Sequence, residues 1–309
     1  MSEEEQDTAT HIQMGNETLE ISGAENNTTT TDTTTNDDAS VLTTQTSQII
    51  NKCCICGAVK NCSPHLPNVF RNMEKIGALF DDYRIFLFYD NSSDNTLDIL
   101  KNYKKQNPKF DFEEGTYHVS NVRTIRIAFA RNKCLNYLRE QCPDYEYFIM
   151  MDCDEVCSGN MDDEMLGRYL KRRDWDALTF NRRDYYDIWA LSIKPFYLSC
   201  AHFGERGGQI MKKYIEDVLS KLKPGKILYC ASAFNGFAIY RKKKFIQFTY
   251  SGELNMMFFP SDAIRQNINL LGGRFDYSNK EDCEHRSFHL AAAINNNAKI
   301  AISPEILFS

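Results

Sequence analysis

A chain of 309 residues, 42% of them hydrophobic, is long enough to bury one large core. Its formal charge of −6 is lopsided, because residues 1–51 hold ten of the 42 acids and none of the 36 bases, leaving 32 acids against 36 bases in the remainder. That mild basic excess suits an anionic ligand and falls short of a nucleic-acid footprint, and no run of about 18 apolar residues reads as a transmembrane span.

The N-terminus lacks the basic-then-apolar pattern of a secretory leader, so a soluble protein in the cytoplasm is expected. Eleven cysteines without such a leader are expected to stay reduced. The densest group, Cys53, Cys54, Cys56 and Cys62, lacks a second C-x-x-C and is read as buried strand cysteines rather than a zinc site.

Residues 1–48 are rich in Thr, Asn, Asp and Glu, with no aromatic residue and no sustained apolar period. Such a segment cannot bury enough surface to offset its ordering entropy, so a disordered acidic tail is expected, with one folded domain over 49–309. The domain opens with a strand, Cys53–Val59, and a helix, Leu66–Phe80, whose apolar residues recur at helical spacing. A second apolar strand, Tyr83–Tyr89, ends in Asp90-Asn91-Ser92-Ser93-Asp94-Asn95-Thr96, a turn-rich loop able to cap a helix over Thr96–Gln106. Residues 110–119 suggest a short strand, and Thr124–Glu140 a helix carrying Ile127, Ala130, Cys134, Leu135 and Leu138.

Tyr147–Met151 is the next strand, followed at once by Asp152-Cys153-Asp154. Beyond it come a helix over Asp163–Arg172, a strand over Ala177–Phe180 and a polar, aromatic stretch over Asn181–Leu191. A loop over Gly204–Gly208 precedes a helix over Tyr214–Leu222. Within Ile227–Tyr240, Gly236 permits an unusual turn or a close approach by ligand. Lys242–Lys244 reads as a solvated basic turn, Glu281–Asn295 as a helix, and Lys299–Ile302 as a strand before Pro304.

Strands alternating with helices of this length mean βαβ units and a mostly parallel α/β sheet flanked by helices. Right-handed crossovers then bring Asp90 and Asp152, both at strand ends, toward one crevice. In extended geometry Asp152 and Asp154 share a side. An isolated pair of this kind is ordinarily a strand end with solvated acids. Brought together in a crevice, two carboxylates instead call for a cation between them, and oxygen ligands suit Mg²⁺, Mn²⁺ or Ca²⁺ better than soft metals.

Taken in order, these segments resemble the family-2-like glycosyltransferases of the GT-A, Rossmann-like fold. The Asp90–Thr96 loop resembles their D-G-S-x-D-x-T loop, Ala130-Arg131-Asn132 their A-R-N helix, and Asp152-Cys153-Asp154 their D-x-D motif. The acidic start of the last helix, followed by Lys299-Ile300-Ala301-Ile302-Ser303-Pro304, is similar to their ending. Tyr186-Asp187-Ile188-Trp189-Ala190-Leu191 also resembles a motif of fungal capsule-associated mannosyltransferases and related bacterial and viral sequences.

The resemblance covers roughly residues 50–308 and implies a hexosyltransferase-type enzyme. It would move a sugar from a nucleotide-sugar donor to a glycan or glycoprotein hydroxyl with the help of Mn²⁺ or Mg²⁺. It implies that Asp90 contacts the nucleoside and that Asp152 and Asp154 hold metal, diphosphate and ribose, with Arg131 facing nucleotide or phosphate. A late histidine would complete the metal shell, His285 before His289. An inverting enzyme would need a carboxylate base, Glu284 or Asp282, and a retaining one would not. Asp187 and Trp189 are candidates for the sugar pocket, with Asn235 and Gly236 near donor or acceptor. Two alternatives stand beside this reading. Asp152-Cys153-Asp154-Glu155-Val156 also matches the first motif of haloacid-dehalogenase-type phosphatases, and the fold also suits a non-catalytic glycan- or nucleotide-binding module.

Overall fold

A computed structural model describes residues 51–115, 120–272 and 274–309. The acidic segment 1–48 lies outside the described residues, as do the last positions of the strand expected over 110–119. Eight strands form one mixed sheet in the order β3-β2-β1-β4-β7-β5-β8-β6. They are β1 (Lys52–Val59), β2 (Asp82–Asp90), β3 (Phe110–Gly115), β4 (Tyr147–Met151), β5 (Ala177–Asn181), β6 (Leu228–Cys230), β7 (Phe237–Arg241) and β8 (Ile300–Ile306). Strands β3, β2, β1 and β4 run parallel, and β7 enters antiparallel between β4 and β5.

One residue row shows why these segments became strands. Ile85, Ile55, Ile149, Ile239, Leu178 and Ala301 pair in register across six neighbouring strands, and all are fully buried. Apolar runs buried on both faces are what a central sheet under helices on each side requires. One face packs against α1 (Leu66–Gly77), α2 (Thr96–Gln106) and α4 (Asp163–Leu170) through Leu66, Met73, Leu100 and Leu166. The other face receives α3 (Arg123–Gln141) and α8 (Glu284–Asn296) through Cys134, Leu138, Phe288 and Ala292. This is the helix–sheet–helix α/β architecture that the resemblance implied. Cys53, Cys54 and Cys56 alternate between the two faces of β1 and are fully buried, as strand cysteines should be.

A third cluster packs the 185–203 segment against α5 (Gly204–Ser220) and α7 (Ser261–Leu271). Here three readings need correction. Gly204–Gly208 is not a loop but the first turn of α5, and its glycines allow close packing. A Cβ on Gly207 would lie 2.6 Å from Phe203 Cβ, and one on Gly208 would lie 3.3 Å from Ile188 Cδ1. Helix α7 was not foreseen at all. Its central Asn267 is fully buried, accepting from the backbone N–H groups of Tyr197 and Leu198 and donating to Pro195 O. The basic turn at Lys242–Lys244 is instead the start of α6 (Lys242–Phe245), and Lys242 is buried with its ammonium on the carbonyls of Cys142 and Pro143 at 2.5 and 2.7 Å. Among the described residues, no helix is long and apolar enough to cross a membrane.

Candidate active site

A cavity of about 760 Å³ opens where β1, β2 and β4 end. Crevices outside the carboxyl ends of parallel strands are where open α/β sheets take ligands. The first two strand ends are stitched together. Asn61 N–H donates to Ser92 Oγ, Ser93 N–H returns to Asn61 Oδ1, and Asp94 accepts from Ser63 and Thr96 N–H. Slight burial pushes the Asp94 carboxyl up, but these donors outweigh it and hold it at about 2. The stitch presents Asp90 at the cavity wall, paired with Lys60 at 2.7 Å.

At the end of β4, Asp152 and Asp154 both line the cavity but differ in surroundings. Asp152 accepts from Arg131 Nη2 at 3.2 Å and from the Tyr186 hydroxyl at 2.8 Å, so each of its oxygens is engaged. Burial, and after it the Asp154 charge, raises the Asp152 carboxyl above its ordinary value, although Arg131 pulls the other way. Asp154 is exposed, and among the described residues only its Oδ1 is used, accepting from Val156 N–H at 3.0 Å.

The antiparallel insertion of β7 supports this corner. Its entry turn, Asn235-Gly236, lies beside the end of β4, and Gly236 O accepts from Asp152 N–H at 2.9 Å. Both turn residues have positive φ, 56° and 90°. A Cβ on Gly236 would sit 2.2 Å from Val156 Cγ1. Gly236→Ala is therefore expected to cost roughly 1–3 kcal/mol, the strain of a left-handed residue, with further loss from displacing the Asp152–Val156 loop. Urea unfolding measures it, and an unchanged midpoint would show the turn to be dispensable. Asn235 is buried, donating to Phe180 O and meeting Asp187 N–H, so the pair that the sequence placed near substrate instead holds the acids from behind.

Arg131 is buried against two acids, its Nε 2.8 Å from Glu284 Oε1 and its Nη2 3.2 Å from Asp152 Oδ1. It is neither an exposed helix arginine nor simply a phosphate contact but a bridge between carboxylates, and its Nη1 has no partner among the described residues. Glu284 stands at the first turn of α8 and lines the cavity. Asp282 does not line it. Its carboxylate is buried on Arg286 Nε and Cys283 N–H, which removes it as the base candidate.

The two histidines separate as well. His289 meets Ser232 Oγ at 3.0 Å and the Tyr240 hydroxyl at 2.9 Å, so both ring nitrogens are spent inside the core. Burial and then the charge of Arg131 push it down to about 3. It is a structural histidine and offers no lone pair to a metal or substrate. His285 lines the cavity, stacked on Phe234 at 3.7 Å, and its nitrogens have no hydrogen-bond partner among the described residues. Burial, and then Arg131 and His289, push its pKa well below the ordinary histidine value.

Among the described residues, no three His, Cys, Asp or Glu side chains assemble a metal-ligating group, although Asp152, Asp154 and His285 all line the cavity. The donor set still suits a hard cation. Mg²⁺ and Mn²⁺ bind through one or two carboxylates and fill the rest of the shell with phosphate oxygens and water. Asp154, with one oxygen unengaged, fits that role, and Asp152 stands beside it.

Asp187 and Trp189, the candidates for a sugar pocket, both line the cavity. Burial, with the nearby charges of Glu284 and Asp152, pushes the Asp187 carboxyl up to about 7 from 3.8. A folded-state pKa raised in this way means that the folded protein keeps a proton the unfolded chain has lost. The contribution to stability is therefore full below about 3.8 and is lost as pH rises toward 7. Asp187→Asn keeps the neutral form at all pH values. Its melting temperature is expected to exceed the parent's at pH 8, with the gap closing as pH falls toward 4. A gap that does not change with pH would refute the proton-holding carboxyl.

Sequence reasoning missed the cavity's cations other than Arg131. Lys60 follows β1, and Arg123 and Arg126 sit three apart at the start of α3, so they share a face. Neither arginine has an ion-pair partner among the described residues, unlike Lys60 and Arg131. The available signal was the pair of basic residues one to two turns upstream of Ala130-Arg131-Asn132. Tyr186, whose hydroxyl donates to Asp152, was named only as the first residue of the Tyr186–Leu191 motif and was given no role of its own.

The sequence matches the model of glycosyl transferase family 2 over residues 54–248. Among solved structures, the chain is similar to TarS 1-349 of S. aureus at 12% identity, covering 83% of this chain and 59% of that one, with a TM-score of 0.43. The same protein in complex with UDP-GlcNAc gives 12% identity, coverage of 83% and 57%, and a TM-score of 0.42. The mannosyltransferase PcManGT of Pyrobaculum calidifontis, in complex with GDP-Man and Mn²⁺, gives 11% identity, coverage of 82% and 56%, and a TM-score of 0.39. The chain thus spans less than two thirds of the length of each of these structures. No curated protein matches the sequence.

Proposed function

The chain belongs to glycosyl transferase family 2, and from that premise we propose that it moves a sugar from a nucleotide-sugar donor to an acceptor hydroxyl with the help of a divalent cation. The supporting observation is the convergence of Asp90, Asp152, Asp154 and Glu284 on one cavity that also holds two arginines with no ion-pair partner among the described residues. Family membership sets aside the phosphatase alternative, because the matched segment takes in the whole Asp152–Val156 motif together with the three βα units before it.

In this reading Arg123 and Arg126 offset the diphosphate charge, and Asp90 meets the nucleoside next to Lys60. Asp154, with Asp152, holds Mn²⁺ or Mg²⁺, which when bound neutralises charge developing on the leaving diphosphate. Glu284 takes the proton from the acceptor hydroxyl as its oxygen bonds to the anomeric carbon. The bond from that carbon to the diphosphate oxygen breaks, and the diphosphate leaves with the electron pair. Arg131 lies between Glu284 and Asp152, its guanidinium hydrogen-bonded to both side chains.

The test is to incubate the protein with Mn²⁺ or Mg²⁺ and a panel of UDP- and GDP-sugars and to follow nucleoside diphosphate release. Release that EDTA abolishes and added Mn²⁺ restores is expected. Release indifferent to EDTA would remove the cation, and nucleotide binding without any turnover would leave a binding module.

A further inference from the structure

A second cavity, of about 460 Å³, lies beside the first, and Trp189 lines both. We propose that it is the acceptor subsite and that it holds a neutral saccharide laid against Trp189. This proposal rests on the glycosyl-transfer reading and names the acceptor class for that site.

The wall is apolar where it is formed by Ile188, Trp189, Cys200 and Ala201, and polar along α5. Glu205, Gln209 and Lys212 follow one another at i, i+4 and i+7, so they project from one helix face. Their chemistry is balanced. Gln209 Nε2 donates to Glu205 Oε1 at 3.3 Å, and Lys212 is paired with Asp184. One carboxylate, one amide and one ammonium already matched by an acid give no preference for an anion, but they offer both donors and acceptors. A ligand with many hydroxyls and no charge uses such a rim best. Its apolar ring faces suit an exposed indole, whose N–H supplies a further donor. The size falls within the usual range for small-molecule sites.

Trp189 itself is unusual for its position. The chain has two tryptophans; Trp175 is 1% exposed, whereas Trp189 is 44% exposed between two cavities. Gly208 helps to keep the groove open, since it lines the cavity and a side chain there would press on Ile188. A sugar in the groove would have its neighbouring unit across Trp189, next to Asp187 and the donor cavity.

The contrast between the tryptophans supplies a readout independent of catalysis. Acrylamide should quench Trp189 and leave Trp175 largely untouched. Neutral oligosaccharides of glucose, mannose, galactose and N-acetylglucosamine are added to the full chain without donor. At least one series is expected to lower the quenching constant about twofold, with trisaccharides acting below the concentrations that monosaccharides need. Glu205→Ala and Gln209→Ala, both exposed, are expected to raise the required concentration about tenfold, the loss of one or two hydrogen bonds. Release of nucleoside diphosphate to water should be unchanged in both. Protection that is indifferent to both rim variants, no protection by any series, or protection only by a Ser/Thr-rich peptide would each overturn the subsite. Protection without any donor turnover would keep the subsite and sink the transferase reading, and turnover without protection would do the reverse.

Discussion

Asp154→Ala is expected to lower sugar transfer by roughly 10²- to 10⁴-fold, the scale of several kcal/mol that a metal supplies to a developing anion. Of the two acids after β4, Asp152 has both oxygens engaged, by Arg131 and Tyr186. Asp154 keeps an oxygen with no partner among the described residues, at the cavity. The variant has a structural side effect, because Asp154 also caps the short helical turn at Val156, and losing a cap costs about 1 kcal/mol. Asp154→Asn separates the two roles, since its amide oxygen can still accept from Val156 N–H while its charge is gone. Both variants should lose transfer and Mn²⁺ affinity in the presence of UDP or GDP, measured by calorimetry, but only the alanine should lower the melting temperature. Transfer by the asparagine variant within threefold of the parent would take the cation away from Asp154.

Much of this site was legible because strand ends announce themselves. Tyr147–Met151 is a fully buried strand with the bounds its apolar run suggested, and the acids that follow it reach the crevice. What stayed hidden depends on what a face looks at. His285 and His289 do share a side of α8, as their spacing requires, yet one lines the cavity and the other closes a core network with Ser232 and Tyr240. Helical spacing fixes neighbours along a helix but not the partner across from it. Asp282 and Glu284 divide in the same way: Asp282 pairs with Arg286 four residues on, a local i,i+4 contact, whereas Glu284 takes Arg131, a long-range choice that no local pattern encodes. Gly204–Gly208 misled for a related reason, since low helix propensity was outweighed by close packing against Phe203 and Ile188. Lys242 reversed its expected exposure because three backbone carbonyls surround it, those of Cys142 and Pro143 accepting from its ammonium and that of Glu146 from its backbone N–H.

The decisive question for the chemistry is whether Glu284 takes the acceptor proton, and Glu284→Gln answers it. The amide keeps the size of the side chain and can still accept from Arg131 Nε, so the buried bridge to Asp152 is preserved. Removing Arg131 instead would strand the buried Glu284 carboxylate and the partly buried Asp152, and confuse catalysis with folding, at about 3–5 kcal/mol for a broken buried pair. If Glu284 is the base, Glu284→Gln should lower kcat by roughly 10²- to 10⁴-fold while UDP or GDP affinity and melting temperature hold. The parent should then invert the anomeric configuration, which NMR of the product reads directly. A retained configuration, or transfer within tenfold of the parent, would move the proton elsewhere. The next carboxylate in the cavity is Asp187, which burial and its acidic neighbours already hold at about 7, the range in which a general base works best. Glu284→Gln and Asp187→Asn therefore decide between two bases in one cavity, because only the true base couples loss of kcat to unchanged nucleotide binding.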